Sequence, residues 1–317
     1  MTKPVSLLVP LTLALLVDLF PADSARAQEL FHFHNAFWMN LHHYLHALAR
    51  VNEPLAEDLP AAATAGERSQ WAVAVEFYRT RFGRRSLLFD ENLLRVKEQL
   101  AQLDSSETLA EALTPEHRQV LERVAPIYRR HLWKAHEAAN ARFVAFLQPL
   151  LTRHGSAIAT RLARSYDDEW PAGGLRADIV RDAGPPGNAY TTNIPPPTHI
   201  TIGAGDHGLA ALELIFHEAS HHWDQRLMKG IGDEASAIGK RAPPDLWHAV
   251  LFFNAGRITA DVLERSGQGK YELMMVGGKI FDRPGWHEAI GRHWPLFLSG
   301  ELARDEALRR IVIAVVP

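Results

Sequence analysis

The stretch LELIFHEASHHWD, residues 212–224, places His217, Glu218 and His221 in the spacing H-E-x-x-H. Two histidines four residues apart share one face of a helix, so both can bind a single Zn²⁺ ion. The glutamate between them can then act as general base on a metal-bound water, which is the chemistry of hydrolysis. At about 100° per residue, Leu212, Phe216, Ala219 and Trp223 form one apolar stripe of this helix. Glu213, His217, His221 and Asp224 form an adjacent stripe at the rim of that core face. Two buried imidazoles need partners, and one zinc ion satisfies both. Asp224 follows His221 by about one turn and is a candidate to accept the outer ring N–H of a ligand.

The elements that must position this helix are legible in outline. From Asn35 to about Tyr166 apolar residues recur at three- and four-residue spacing, which predicts helices. Thr114-Pro115 reads as a helix start, Pro126 as a start or kink, and His154-Gly155 as a stop. EPLAEDLPAAATAGE, residues 53–67, reads as a connector. LRADIVRD and THITIG carry the β-branched or alternating pattern of strands, with the turn-rich GPPGNAYTTNIPPP between them. Helices are expected again over Leu209–Lys229, stopped by Gly230; over Asp245–Arg265, stopped by Ser266-Gly267; and over Trp286–Arg310. The expected fold is mainly α, of the α+β class: many helices with a small sheet or hairpin ahead of the motif helix. The expected organisation is a signal peptide over 1–27, a helical region over 28–165 and a catalytic region over 166–317, the last two able to form one compact unit.

HEASH, preceded by the THITIG strand and the GAGDHG turn, resembles the zincin metallopeptidases. The resemblance spans Arg176 to Glu264, and HEASH is its only specific part. It implies His217 and His221 as zinc ligands and Glu218 as general base and proton shuttle. The metzincin extension fails, because Asp224 and Leu227 stand where it requires glycine and the third histidine. A gluzincin-like pattern implies a third ligand on the next helix, where His248 occupies the leading end in place of a glutamate. On that helix Phe252, Ala255 and Thr259 share the face of His248, while Arg257 and Glu264 fall opposite, so a metal-facing His248 excludes Glu264. His248 is the expected third ligand, with Glu234 and Glu264 as alternatives. Three neutral histidines leave the site at charge +2, which favours an acidic bound water. Tyr190, His199, Arg257, Tyr271 and His293 are candidates to stabilise a developing oxyanion. Tyr271 and His293 come first because the superfamily often places such a group after the second helix.

Composition narrows the setting. The chain has 317 residues, 47% hydrophobic and 22% charged, enough for a full core. Net charge is −3 with no basic run, so no nucleic-acid partner is expected. Lys3, the apolar run Val5–Val17 and Ala25-Arg26-Ala27 read as a secretory signal cleaved near Ala27. The run is shorter than the roughly 20 residues that span a bilayer, so no stable membrane insertion is expected and the product is periplasmic or secreted. The absence of cysteine removes thiolate from the possible ligands and nucleophiles. His32, His34, His42, His43 and His46 crowd one segment, and His136 pairs with Asn140 at helical spacing; both read as core or interface residues first, a second metal site or lid second. His222 points about 100° away from His221 and is not expected to bind. The expectation is a zinc-dependent hydrolase acting on a peptide or protein, against two rivals: a silent binding module on the same fold, and a zinc hydrolase of non-peptide amides or esters.

Overall fold

The computed structural model describes residues 30–50, 59–103, 109, 113–184, 187–193 and 197–316. The expected signal segment, 1–27, lies outside these residues. Four short strands, β1 (Phe31–His34), β2 (Leu175–Val180), β3 (Ala189–Thr192) and β4 (His199–Gly203), form one sheet in the order β1-β2-β4-β3. β1, β2 and β4 are parallel, and β3 runs antiparallel along the edge beside β4. The two inner strands are those the β-branched pattern marks. The two edge strands are corrections: β1 comes from the His-rich run, and β3 from a segment read as turns. FHFH alternates with period two and Ala189–Thr192 is β-prone, but four residues is near the limit of what such a pattern can specify.

Alternation along the strands gives the sheet two different faces. Leu175, Ala177, Ile179, Ile200 and Ile202 point into one core, while Val180 and Tyr190 point into another. The second core is closed by α1 (Phe37–Arg50), α2 (Ala65–Phe82), α3 (Glu91–Leu100) and α4 (Pro115–Tyr128). The first draws in α5 (Lys134–Leu150), α6 (Ser156–Ser165), α7 (Ala210–Ser220), α8 (Asp224–Ala237) and α9 (Leu246–Arg265). The short α10 (Met274–Gly277), then α11 (Trp286–Leu298) and α12 (Arg304–Val315), complete it. Among the described residues no helix is long and apolar enough to cross a membrane.

Several helix boundaries differ from the local signals. Thr114 does cap α4, accepting from the His117 N–H at 3.3 Å, with proline at the first helical position. Pro126 does not end the helix. Wide π turns at Arg129–Trp133 and Leu151–Gly155 follow Pro126 and Pro149 closely and let α4, α5 and α6 run on as one helical path. Gly155 is therefore not a stop: a side-chain carbon there would lie 2.9 Å from Leu30 Cδ1, so glycine admits the incoming chain. Gly230 is likewise interior to α8, against Leu308 of α12, and the helix ends before Gly239, whose φ is +68°. The expected helical region Trp286–Arg310 consists of two helices, α11 and α12, separated at Gly300, whose φ is +82°.

The face of the sheet toward α3 carries a buried polar network. Lys97 is fully buried and donates to Thr192 Oγ1 at 2.6 Å and to the His199 carbonyl at 3.3 Å. His199 lies between Asp178, which it contacts through Nε2, and Glu98, 3.0 Å from its Nδ1. Arg176 donates to both Asp178 oxygens. Burial alone would raise the Asp178 carboxyl, but the hydrogen bonds from His199 and Arg176 outweigh it and hold it at about 2. Its ordinary value is near 3.9, so its stabilising contribution is complete above about pH 4 and is lost as the pH falls toward 2. Asp178→Ala, which strands this buried cationic partner set, should cost about 3–5 kcal/mol in urea unfolding at pH 7. A cost below about 1 kcal/mol would show that the network does not hold α3 to the sheet.

Candidate metal centre

The motif helix α7 is buried on all sides: every residue from Ala211 to Ser220 is inside. It lies under the sheet, not at the rim of the core as its apolar stripe suggests. The α-helix stops at Ser220, and His221 begins a 3₁₀ turn, His221–Trp223, before α8. Helix α9 packs antiparallel against α7, because stepping forward four residues on α7 steps back four on α9. Glu213 meets Gly256, His217 lies 3.9 Å from Phe252 between ring centroids, and His221 lies 4.9 Å from His248.

This packing brings His217, His221 and His248 together, with one ligand nitrogen from each inside a 4.8 Å envelope. Among the described residues they are the one such group of three or more. The Nε2 atoms of His217 and His248 are 3.3 Å apart. Two imidazoles on one tetrahedral zinc, with Zn–N of about 2.0–2.1 Å, have nitrogens about 3.3–3.4 Å apart, so this separation fits the ion. Burial, and then the neighbouring imidazoles, push His217 well below the ordinary histidine range. Burial pushes His221 to about 3 and His248 to about 4. All three are neutral near pH 7, which leaves each a lone pair for a metal.

Glu218 adjoins this group, its Oε1 4.0 Å from His217 Nε2. Its other oxygen, Oε2, accepts from the Thr191 hydroxyl at 2.7 Å, and the same hydroxyl is 2.9 Å from the Glu218 carbonyl. The edge strand β3 thus fixes the carboxylate while leaving Oε1 facing the imidazoles. Burial raises Glu218 to about 7, against the Thr191 hydrogen bond and the charge of Lys97. Aromatic rings surround the histidines: Trp247 stacks on His248 at 4.9 Å, and Phe281 meets it edge-on at 4.8 Å. Phe281 holds φ of +56°, strained for a residue of its size, so the loop after α10 is bent to present this ring.

The remaining candidates have other partners. Glu264 accepts from Arg257 at 3.2 Å, and Arg257 also pairs with Asp261, on a side of α9 away from His248. Glu234 lies on α8, outside the convergent group. The Tyr271 hydroxyl donates to Glu213 Oε2 at 2.7 Å, and the Met274 N–H donates to the same oxygen at 3.0 Å. His293 lies on α11 in the field of Arg310 and Arg292. Tyr190 bonds His43 at 2.8 Å, and His199 belongs to the Asp178 network. Asp224 accepts from Asn193 at 3.3 Å, and His222 bonds Thr198 at 2.7 Å. In the His-rich segment His42 and His117 share the Tyr78 hydroxyl, and His46 bonds the Arg85 carbonyl. His136 bonds Tyr128, and Asn140 joins Asn35 and Asn40. The sequence pattern assigns no role to Thr191 or Glu213. Thr191 sits in a strand too short to recognise, whereas Glu213, one turn before His217 on the same stripe, carries a readable signal.

Comparison of the chain with protein-family models, curated proteins and solved structures finds no match. The reading of the site therefore rests on its geometry. Elemental analysis of the protein purified without chelators should find about one zinc per chain. His217→Ala, His221→Ala and His248→Ala should each lose it, and Glu234→Ala and Glu264→Ala should keep it. Zinc retained in His248→Ala would remove that residue from the ligand set.

Proposed function

We propose that the protein is a zinc-dependent hydrolase of peptides or proteins, of the zincin type, exported after cleavage near Ala27. The supporting observation is the convergence of three neutral imidazoles beside one buried carboxylate whose Oε1 is free to act. His217, His221 and His248 would hold the ion. Zinc bound there supplies Lewis acidity: it lowers the pKa of a water toward 7 and polarises a carbonyl.

Glu218 performs the proton transfers. Thr191 occupies its Oε2, so Oε1 accepts the proton of the attacking water and delivers it to the leaving nitrogen. A rigid carboxylate is what such a shuttle needs, because the same atom must reach two sites in turn. The ring collar of Trp247, Phe252 and Phe281 limits bulk water around the histidines and strengthens the electrostatics of the transfer.

Glu218→Gln keeps the shape of the side chain and removes the base. It should retain zinc and lower turnover by at least about 10²–10⁴-fold on any peptide the wild type cleaves. Thr191→Val, which frees Oε2, should lower turnover less and leave zinc content unchanged. Hydrolysis at the wild-type rate by Glu218→Gln would overturn the mechanism. Stoichiometric zinc with no cleavage across a broad set of peptides, amides and esters would overturn the enzymatic reading in favour of a metal-dependent binding protein.

A further inference from the structure

Two polar atoms near the imidazole cluster have no partner although both are buried. One is His217 Nδ1 and the other is Glu213 Oε1. They belong to residues four apart on α7, one turn of helix, where side chains are neighbours. Helical side chains lean toward the helix N-terminus, so the His217 ring overlies the turn that carries Glu213. Because His217 Nε2 faces His248 and Glu218, the proton of the neutral ring belongs on Nδ1 whenever Nε2 binds a cation.

One oxygen of Glu213 is held firmly, although burial raises the carboxyl to about 7 against its two hydrogen bonds. Glu213 is fully buried, and its Oε2 already accepts from the Tyr271 hydroxyl and the Met274 N–H. A side-chain carbon on Gly256 would lie 2.5 Å from Oε1, so glycine on α9 makes the space the carboxylate occupies. The two atoms do not bond each other in this structure, and both are left without any other partner. We propose that Glu213 is a positioning residue for the metal centre: with an ion on His217 Nε2, its Oε1 turns to accept the His217 Nδ1–H, fixing the tautomer that presents Nε2 to the ion. Tyr271 and the Met274 N–H hold the carboxylate in place for this. This role rests on the zinc-site reading above. It also gives Tyr271 a place behind the site in place of contact with an oxyanion.

Glu213→Gln separates this role from a merely structural one. Two N–H or O–H donors face the Oε2 side, so a glutamine must put its carbonyl there and its NH₂ toward His217. The structural tie to Tyr271 and Met274 survives, but the NH₂ favours the opposite tautomer, with Nε2 protonated and unable to bind. Zinc affinity of the full-length mature protein, read by competition with a chromophoric chelator, should fall about 10–100-fold in Glu213→Gln, with the circular dichroism and melting cooperativity of the wild type. Unchanged affinity would overturn the proposal while leaving the zinc site intact. A wild type that binds no zinc would overturn the zinc-site reading itself, and this one with it. Should Glu213→Gln fail to fold, the zinc-loaded wild type decides: its proton NMR spectrum should show a downfield, slowly exchanging His217 Nδ1–H, and a rapidly exchanging one would overturn the proposal.

Discussion

The antiparallel contact of α7 with α9 is the constraint on which the site depends. Its register places Glu213 on Gly256, His217 on Phe252 and His221 near His248. Slipping one helix by a turn would separate the third histidine from the pair and press Glu213 against a side chain. A helix buried on every side while carrying two carboxylates and a histidine, with a second histidine just past its end, is costly unless each polar group finds a partner. The partners come from β3, from the loop that carries Tyr271, from α10, and from the convergence of the imidazoles on one another.

The sheet serves this helix from one side and anchors the N-terminal helices from the other. Thr191, on the face toward α7, grips Glu218, while Thr192, next along the strand, points the opposite way to Lys97. The period of two in β3 thus links the two faces through adjacent residues. Lys97 is close enough to influence Glu218 electrostatically, so the polar network beneath the sheet contributes to the field at the site. The N-terminal helices are thereby joined to the histidine cluster through the sheet, and Leu30, Phe31 and Phe143 share one core with residues of α7 and α9.

Local signals failed where packing overrode them. Gly155 and Gly230 resemble helix stops, but each is a site of close approach, by Leu30 and by Leu308. Pro126 reads as a helix start or kink, and it lies inside α4 with a π turn following it. The edge strands are not legible locally because an edge is defined by its neighbour: FHFH and AYTT become strands by pairing with residues about 140 and 10 positions away. The crowd of histidines after residue 31 is resolved by Tyr78, Tyr190 and backbone carbonyls that no spacing rule brings near.

The sequence by itself determined the mainly helical class, the two inner strands, and the motif His217-Glu218-x-x-His221 with its helical spacing. These follow from periodicity, which fixes direction within one element. It also restricted the face of α9 available to a ligand, so that His248 and Glu264 could not both serve. Tertiary structure alone decided that His248 meets the pair, that Thr191 binds Glu218, and that Tyr271 is spent on Glu213. The physical reason is that convergence of side chains from separate elements depends on helix register, on strand order and on the small residues, such as Gly256, that permit close contact, and none of these is contained in the period of any single element.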